Sequence, residues 1–475
     1  MKHITKTALA TTTAALAVLA GQPTAHAQSA DTLIDKLVEK GVLTTKEAKE
    51  LRQEANKDFT KAFAAKTGMP NWVNSWKLGG DFRGRSEQNN AENPLYSDRN
   101  RFRYRLRLGM TANMFDDLEV GVRLGSGNPA NSGNFAQGGS TISANTDLGN
   151  GNSRKFLWVE AAYGKWTPVH TADWTISGMV GKFDFPLALS PMIWDADLQP
   201  EGTAIQITRN LNSDHALKFN GMFNALGEFN QGGANVPPGG QPSRDPYLLA
   251  GQLLWEGKWT PKLDTVLGVS VFNIVNKDGL AFVSASPNSV PNPNAGNSHI
   301  TPAAVGASTG LRYNFNPVVV NSAITYKLES FPLYKGEFPV KLAGEFMKNP
   351  AAAKNNEGWN TGLTFGKAGH KGLWELSYRY QVLRADAWYS QFADDDNGAF
   401  YQGSPANQLA GSGIGGNQNW SGGTNVKGHW VKGTYSLTDS LNLSVMYYLN
   451  ELIINSPGAP RSTSGHLFVD LMWKF

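Results

Sequence analysis

The sequence predicts an all-β chain, a 16-stranded antiparallel transmembrane β-barrel behind a short N-terminal helical segment. Three observations carry this: one unbroken alternation, a regular exchange of short and long links, and an aromatic final strand. The alternation runs from Arg101 to Met114. Phe102, Tyr104, Leu106, Leu108, Met110, Ala112 and Met114 fall on one side. Arg101, Arg103, Arg105, Arg107, Gly109, Thr111 and Asn113 fall on the other. A period of two is strand geometry, with successive side chains on opposite faces. Arginines about 6.8 Å apart along one face cannot pack dry and unpaired, and the other face is too apolar for water. Each arginine turned to the bilayer midplane would cost about 2–4 kcal/mol, so four together rival the ~5–15 kcal/mol that holds a typical domain. They must therefore face inward, with the apolar face on lipid.

In chain order, Lys2 and Lys6, an uncharged run from Ala8 to Gly21 and Ala25-His26-Ala27 form a secretory signal pattern over 1–27, with cleavage expected before Gln28. The run is shorter than the ~20 residues that a helical span needs. Residues 28–69 form a helical segment. Leu33, Ile34, Leu37, Val38, Val42 and Leu43 have helical spacing, Gly41 divides two helices, and Thr44 with Glu47 makes a capping box for the second. Its charged remainder is a solvated face, serving either as an oligomerisation or envelope contact or as a spacer. The barrel takes 70–475. Alternating segments fall near 75–87, 100–114, 118–126, 154–166, 173–183, 202–210, 213–224 and 247–259, then near 264–274, 317–328, 338–348, 358–367, 372–383, 425–436, 441–450 and 465–475. Links after even-numbered strands are short (115–117, 167–172, 210–212, 260–263). Several after odd-numbered strands are long (127–153, 225–246, 275–316, 384–424). Short periplasmic turns against long external loops is the barrel asymmetry, and an even count returns the C-terminus to the periplasmic side with the N-terminus. In the last strand Leu467, Val469, Leu471, Trp473 and Phe475 share a face, too greasy for the uncovered edge of a soluble sandwich.

Composition closes off other classes. The chain has no cysteine, which removes disulfides, thiol catalysis and cysteine metal sites. Its net charge of +4 becomes 4 − 2 = +2 without Lys2 and Lys6, so bulk charge calls for no nucleic acid. The eight histidines show no metal-ligand spacing, so no metal or other cofactor is expected. Gly411–Gly416 reads G-x-G-x-x-G without a strand–helix context. Asp394-Asp395-Asp396-Asn397-Gly398 has calcium-loop composition but not its spacing, and reads as a solvated loop tip. No nucleophile–base signature appears, and no enzyme is expected.

The candidate site is the barrel interior. Arg83 and Arg85 extend the wall of Arg101, Arg103, Arg105 and Arg107, and Arg123 adds to it from the third strand. The link after the fifth strand is only moderately long, yet it holds Phe185, Leu187, Leu189, Met192, Ile193 and Trp194. An external loop would not leave that much apolar surface in water. Folding inward buries it, whereas packing on neighbouring loops or a second subunit is the alternative. Inward folding would bring Asp184, Asp195, Asp197 and Glu201 to face the arginines, setting a transverse field that passes hydrated polar solutes.

The arginine-rich second strand, SPMIWDADLQPEG at 190–202, GEFMKN at 344–349, the aromatic end and LVEKGVLTTKEAKELR at 37–52 together resemble the putative-porin family of Gram-negative bacteria. The terminal strand resembles the signature by which barrel assembly machinery recognises outer-membrane barrels, with Phe475 as its key residue. The resemblance covers about 72–475 and implies an outer-membrane, water-filled channel for passive diffusion of small hydrophilic solutes, a homotrimer in lipid. The basic wall adds an expected modest anion preference. The competing reading is a closed barrel that anchors the envelope through its N-terminal helices.

Overall fold

The computed structural model describes residues 72–92, 98–128, 143–149, 151–227, 245–280, 296–298, 311–401, 419–421, 423–455 and 462–475, with isolated positions elsewhere. The signal pattern, nearly all of the helical segment, the 411–416 glycine run and parts of the long links lie outside the described residues. The chain divides into two units, 1–76 with 112–115, and 77–111 with 116–475. In the first, the backbone N–H of Phe115 donates to the Trp72 carbonyl (3.1 Å) and Asn113 donates to Ser75 Oγ (3.2 Å).

Sixteen long strands form the sheet. They are β1 (Val73–Ala91), β2 (Arg99–Met114), β3 (Leu118–Gly127), β4 (Phe156–His170), β5 (Trp174–Lys182), β6 (Glu201–Asn210), β7 (His215–Ala225) and β8 (Tyr247–Thr260). Then follow β9 (Leu263–Val275), β10 (Val318–Leu328), β11 (Phe338–Lys348), β12 (Glu357–Gly366), β13 (Trp374–Leu383), β14 (Val426–Ser436), β15 (Leu441–Leu452) and β16 (Ser464–Lys474). Each pairs with its neighbours, and β1 closes the ring on β16 from Asp81↔Lys474 to Ala91↔Ser464. All sixteen expected strands are present, and the barrel is closed and antiparallel. Closure matters physically, because a lipid-exposed sheet edge would leave unpaired backbone groups in hydrocarbon.

Two details depart from the sequence reading. β4 continues past Pro168 to His170 through a register shift between Trp166 and Val169. Proline has no N–H to give a ladder, and the bulge supplies the position that needs none. Two short pairings were also not foreseen. Thr146–Asp147 adds onto β2 opposite Tyr104 and Arg103, and Ala399–Tyr401 pairs with Asn419–Ser421.

The faces differ as a membrane requires. Phe102, Leu108 and Met110 on β2, and Leu118, Val120, Val122 and Leu124 on β3, lie exposed on the outside. Trp166, Trp174, Trp259 and Trp473 are exposed near the short-turn ends of their strands, and Phe156, Phe223, Phe346 and Trp359 near the long-loop ends. Those are the aromatic girdles expected at two interfaces. No described helix is long and apolar enough to cross a membrane. Inward positions are polar, among them Asn220, Gln252, Ser270, Asn321 and Asn360.

Candidate functional site

The interior is built from the ladder outward. On β1 the odd positions run Asp81, Arg83, Arg85, Glu87 and Asn89, and on β2 Arg101, Arg103, Arg105 and Arg107. Glu87 has a fully buried carboxylate bridging Arg101 (2.5 Å) and Arg103 (3.1 Å). Asp147, brought in by the short added strand, takes Arg103 (2.9 Å) and Arg101 (3.7 Å). Arg105 reaches Asp81 (2.8 Å), and Glu160 on β4 takes Arg107 (2.6 Å) and Arg123 (2.9 Å). Asp470 on β16 takes Arg85 (2.7 Å) and Arg83 (3.9 Å), while the Arg85 guanidinium lies 3.9 Å over the Phe468 ring. Sequence reasoning missed these strand carboxylates. The signal was available, since Asp81 and Glu87 share the parity of Arg83 and Arg85.

The link between β5 and β6, here L3 (183–200), folds into the barrel. Its base is closed by the Phe183 N–H on the Pro200 carbonyl (3.1 Å). It then crosses the opposite wall: Ala188 N–H donates to Gln252 Oε1 on β8 (2.9 Å), Ser190 N–H donates to Glu345 Oε1 on β11 (2.7 Å) and Asn360 on β12 donates to Ser190 Oγ (3.0 Å). Glu345 also accepts from the Ser190 hydroxyl. Phe183, Leu187, Met192, Ile193 and Trp194 are buried, each worth about 1.5–3 kcal/mol relative to exposure. The loop folds inward because that is where its apolar side chains find cover.

L3 does not bring all four of its expected acids to the ladder. Asp197 lies 2.8 Å from Arg107 and 3.7 Å from Arg105. Burial pushes the Asp197 carboxyl up, but those guanidiniums outweigh it and hold it below the usual carboxylate range. Asp184 pairs with Arg123 (2.5 Å), which lowers it likewise. Glu201 instead begins β6, exposed and paired with Lys182 (2.6 Å), because the strand has already resumed there. Asp195 turns away from the arginines, and its side chain accepts the Asp197 N–H (2.7 Å). Burial, then Asp394 and Asp395, raise Asp195 well above its ordinary value.

Asp394 and Asp395 belong to the link between β13 and β14, here L7 (384–425). The solvated-tip reading is wrong: Asp394, Asp395 and Asp396 are half-buried, Asn397 is buried, and the segment lies against L3. Trp388 Nε1 donates to the Ile193 carbonyl (2.7 Å), Asp195 N–H to the Phe392 carbonyl (2.7 Å) and Asp394 N–H to the Pro191 carbonyl (3.0 Å). Phe185, Trp194 and Phe392 stack in sequence at 4.3 and 4.7 Å between ring centroids. Ligand oxygens of Asp195, Asp394 and Asp395 all lie within 4.8 Å of one another, a spacing at which carboxylates share protons or hold a cation. Histidine spacing gave no hint of it. Burial first, then Asp396, pushes Asp394 up to about 7, and burial with Asp396 and Asp394 raises Asp395 well above its ordinary value.

A carboxyl whose seated value exceeds its free value penalises the seated state above that free value, and acidification removes the penalty. The L3–L7 contact should therefore tighten as pH falls from about 8 to about 5. Amide protection of Asp195 and Asp394, corrected for intrinsic exchange chemistry, should rise over that range, and Asp394→Asn should flatten the rise. A pH-independent protection in the unsubstituted chain would refute it.

A cavity of about 660 Å³ opens between L3, L7 and the strands β3 to β5, lined among others by Trp158, Glu160, Lys182, Asp197, Gln199 and Tyr389. Open volume thus lies directly beside the Asp197–Arg107 contact. Residues 88–303, which include most of the first nine strands and all of L3, match the model of a family described as putative porin. Over that stretch the chain is similar to the putative-porin family. Among solved structures it is similar to Pseudomonas putida OprB, in a high-pH structure, at 11% identity and a TM-score of 0.49, over 87% of this chain and 97% of that one. It is similar also to a double mutant of Rh. blastica porin at 9% identity and a TM-score of 0.39, over 84% of this chain and 100% of that one. No curated protein matches it. The family match and the closed barrel support an outer-membrane channel of a Gram-negative cell.

Proposed function

We propose that this porin passes small hydrophilic solutes by diffusion through a constriction beside the contact of L3 with the arginine ladder. The observation that carries the reading is Asp197, delivered by a loop that crosses the barrel and set 2.8 Å from Arg107. The ladder is compensated. Seven guanidiniums (Arg83, Arg85, Arg101, Arg103, Arg105, Arg107, Arg123) lie within 4.0 Å of eight carboxylates (Asp81, Glu87, Asp147, Glu160, Asp184, Asp197, Asp396, Asp470). That balance takes away the net positive wall from which an anion preference followed, leaving local charge to steer solutes within a Debye length, about 8 Å at physiological salt. Changing one side of the pair should therefore unbalance it. Arg105→Gln with Arg107→Gln should shift the reversal potential toward cations, most at low salt, and Asp197→Asn toward anions. Arginine variants that act while Asp197→Asn does not would remove L3 from the constriction.

Sidedness is tested separately in this cysteine-free chain. Single cysteines at 103, 105 and 107 should react with a water-soluble thiol reagent in membranes, and those at 104, 106 and 108 should not. The reverse pattern would turn the barrel inside out.

The same reading extends to assembly as a homotrimer, with both termini periplasmic and Phe475 as the recognition element for the assembly machinery. Backbone bonds between Phe475 and Gly80 (2.8 and 3.1 Å) hold the last residue at the β1–β16 closure. Deleting Phe475 should impair insertion and leave export intact, read as loss of the heat-modifiable folded band. A normal amount of that band in the deletion variant would remove Phe475 from this role.

A further inference from the structure

We propose that L7 is a second selectivity element of the pore, latched to L3 and setting Asp396 against the ladder at a different height from Asp197. The inference rests on the channel reading above and adds a second loop to the constriction. Three observations support it. First, residues 385–398 of L7 are seated, not draped: Trp388 is fully buried, Asn297 Nδ2 donates to the Ala385 and Trp388 carbonyls (2.6 and 2.7 Å), and the Ser390 N–H donates to Asn297 Oδ1 (2.9 Å). Second, it is joined to L3 by the three hydrogen bonds from Trp388, Asp195 and Asp394 and by the Trp194–Phe392 stack, so the two loops form one body. Third, beyond that junction the chain runs along the β15-to-β1 side of the barrel. Tyr448 on β15 donates to Asp394 Oδ2 (3.3 Å), Asn450 Nδ2 donates to the Gly398 carbonyl (3.1 Å) and Arg85 on β1 lies 3.6 Å from Asp396.

The acidic side of the constriction is thus composite. L3 contributes Asp197 opposite Arg105 and Arg107, and L7 contributes Asp396 opposite Arg85. A solute meets two acid–base pairs in succession along the ladder. Asp396 is a specificity residue under this scheme, favouring cations where they pass Arg85, because a fixed carboxylate near the path lowers the barrier for positive charge. Trp388 is a positioning residue that acts through the latch.

The test uses the full chain in planar bilayers at low salt. Asp396→Asn should shift the reversal potential toward anions, as is expected of Asp197→Asn, and Asp396→Glu should restore it. In an Arg85→Gln background the shift from Asp396→Asn should change in size, because the two groups are neighbours. Should Asp396→Asn not insert, Trp388→Phe tests the latch. It keeps a ring but loses the donor to Ile193, and should raise open-channel current noise. An unchanged reversal potential in Asp396→Asn, with Asp197→Asn still shifted, overturns the role of L7 and leaves the channel intact. Unchanged noise in Trp388→Phe overturns the latch. No current from the unsubstituted chain overturns both this inference and the channel reading.

Discussion

Replacing residues 186–199 with a short glycine–serine turn should raise single-channel conductance severalfold while the folded barrel persists. The sheet is held by antiparallel ladders that L3 does not share, and β5 and β6 pair directly from Lys182↔Glu201 onward. What L3 supplies is filling. A barrel of this strand number is otherwise wide enough to hold an aqueous channel, and L3 with L7 packs a contiguous apolar cluster against the inner wall. Removing Leu187, Met192, Ile193 and Trp194 forfeits about 1.5–3 kcal/mol for each buried side chain and uncovers Trp388 and Phe392. A lower unfolding temperature and a noisier, larger current should therefore appear together. Conductance equal to that of the intact chain would mean that L3 does not limit flow.

Glu87→Ala should be the most destabilising single substitution on the ladder. The Glu87 carboxylate is fully buried and is shared by Arg101, Arg103 and the His466 ring (3.1 Å). Truncation leaves two largely buried guanidiniums to share Asp147 alone, a loss of up to about 3–5 kcal/mol by the behaviour of broken buried pairs. Glu87→Gln keeps an acceptor of the same shape and should cost less. Glu201→Ala is the contrast: Glu201 is exposed and Lys182 half-buried, and such solvent-accessible pairs are worth about 0–1 kcal/mol. The temperature at which the folded band converts on a gel should fall far for Glu87→Ala and hardly move for Glu201→Ala. Equal shifts would mean that the ladder pairs behave as surface pairs.

Much of the fold could be read from residues, because a lipid-facing strand writes its period into the chain and nothing else competes with it. β2 and β3 are legible residue by residue. The end of β4 is not, since Pro168 signals a stop locally and only pairing with β5 rescues it through a bulge. L3 was legible because six large apolar residues in a modest link have nowhere dry to go but inward. L7 carries the same kind of signal in Trp388, Tyr389 and Phe392. There it is diluted by a link of about forty residues rich in glycine, asparagine and serine, and its partners lie some two hundred positions away. The acids divide similarly. Asp197 reaches the ladder and Asp195 does not, because the turn held by the Asp197 N–H on Asp195 Oδ1 points the two carboxylates apart. Side-chain direction within a two-residue turn is set by tertiary contacts that no pattern records. The neutralising role of Asp81 and Glu87, by contrast, could have been found from parity alone.

The most direct test is the current carried by the purified chain, reconstituted at low density in a planar bilayer. The channel account predicts discrete conductance steps above the lipid background, ohmic near zero voltage and rising with salt concentration, as for a hydrated pore whose wall charges are nearly balanced. An inserted, heat-modifiable barrel that yields no steps at any voltage would contradict it, and would favour a closed envelope anchor.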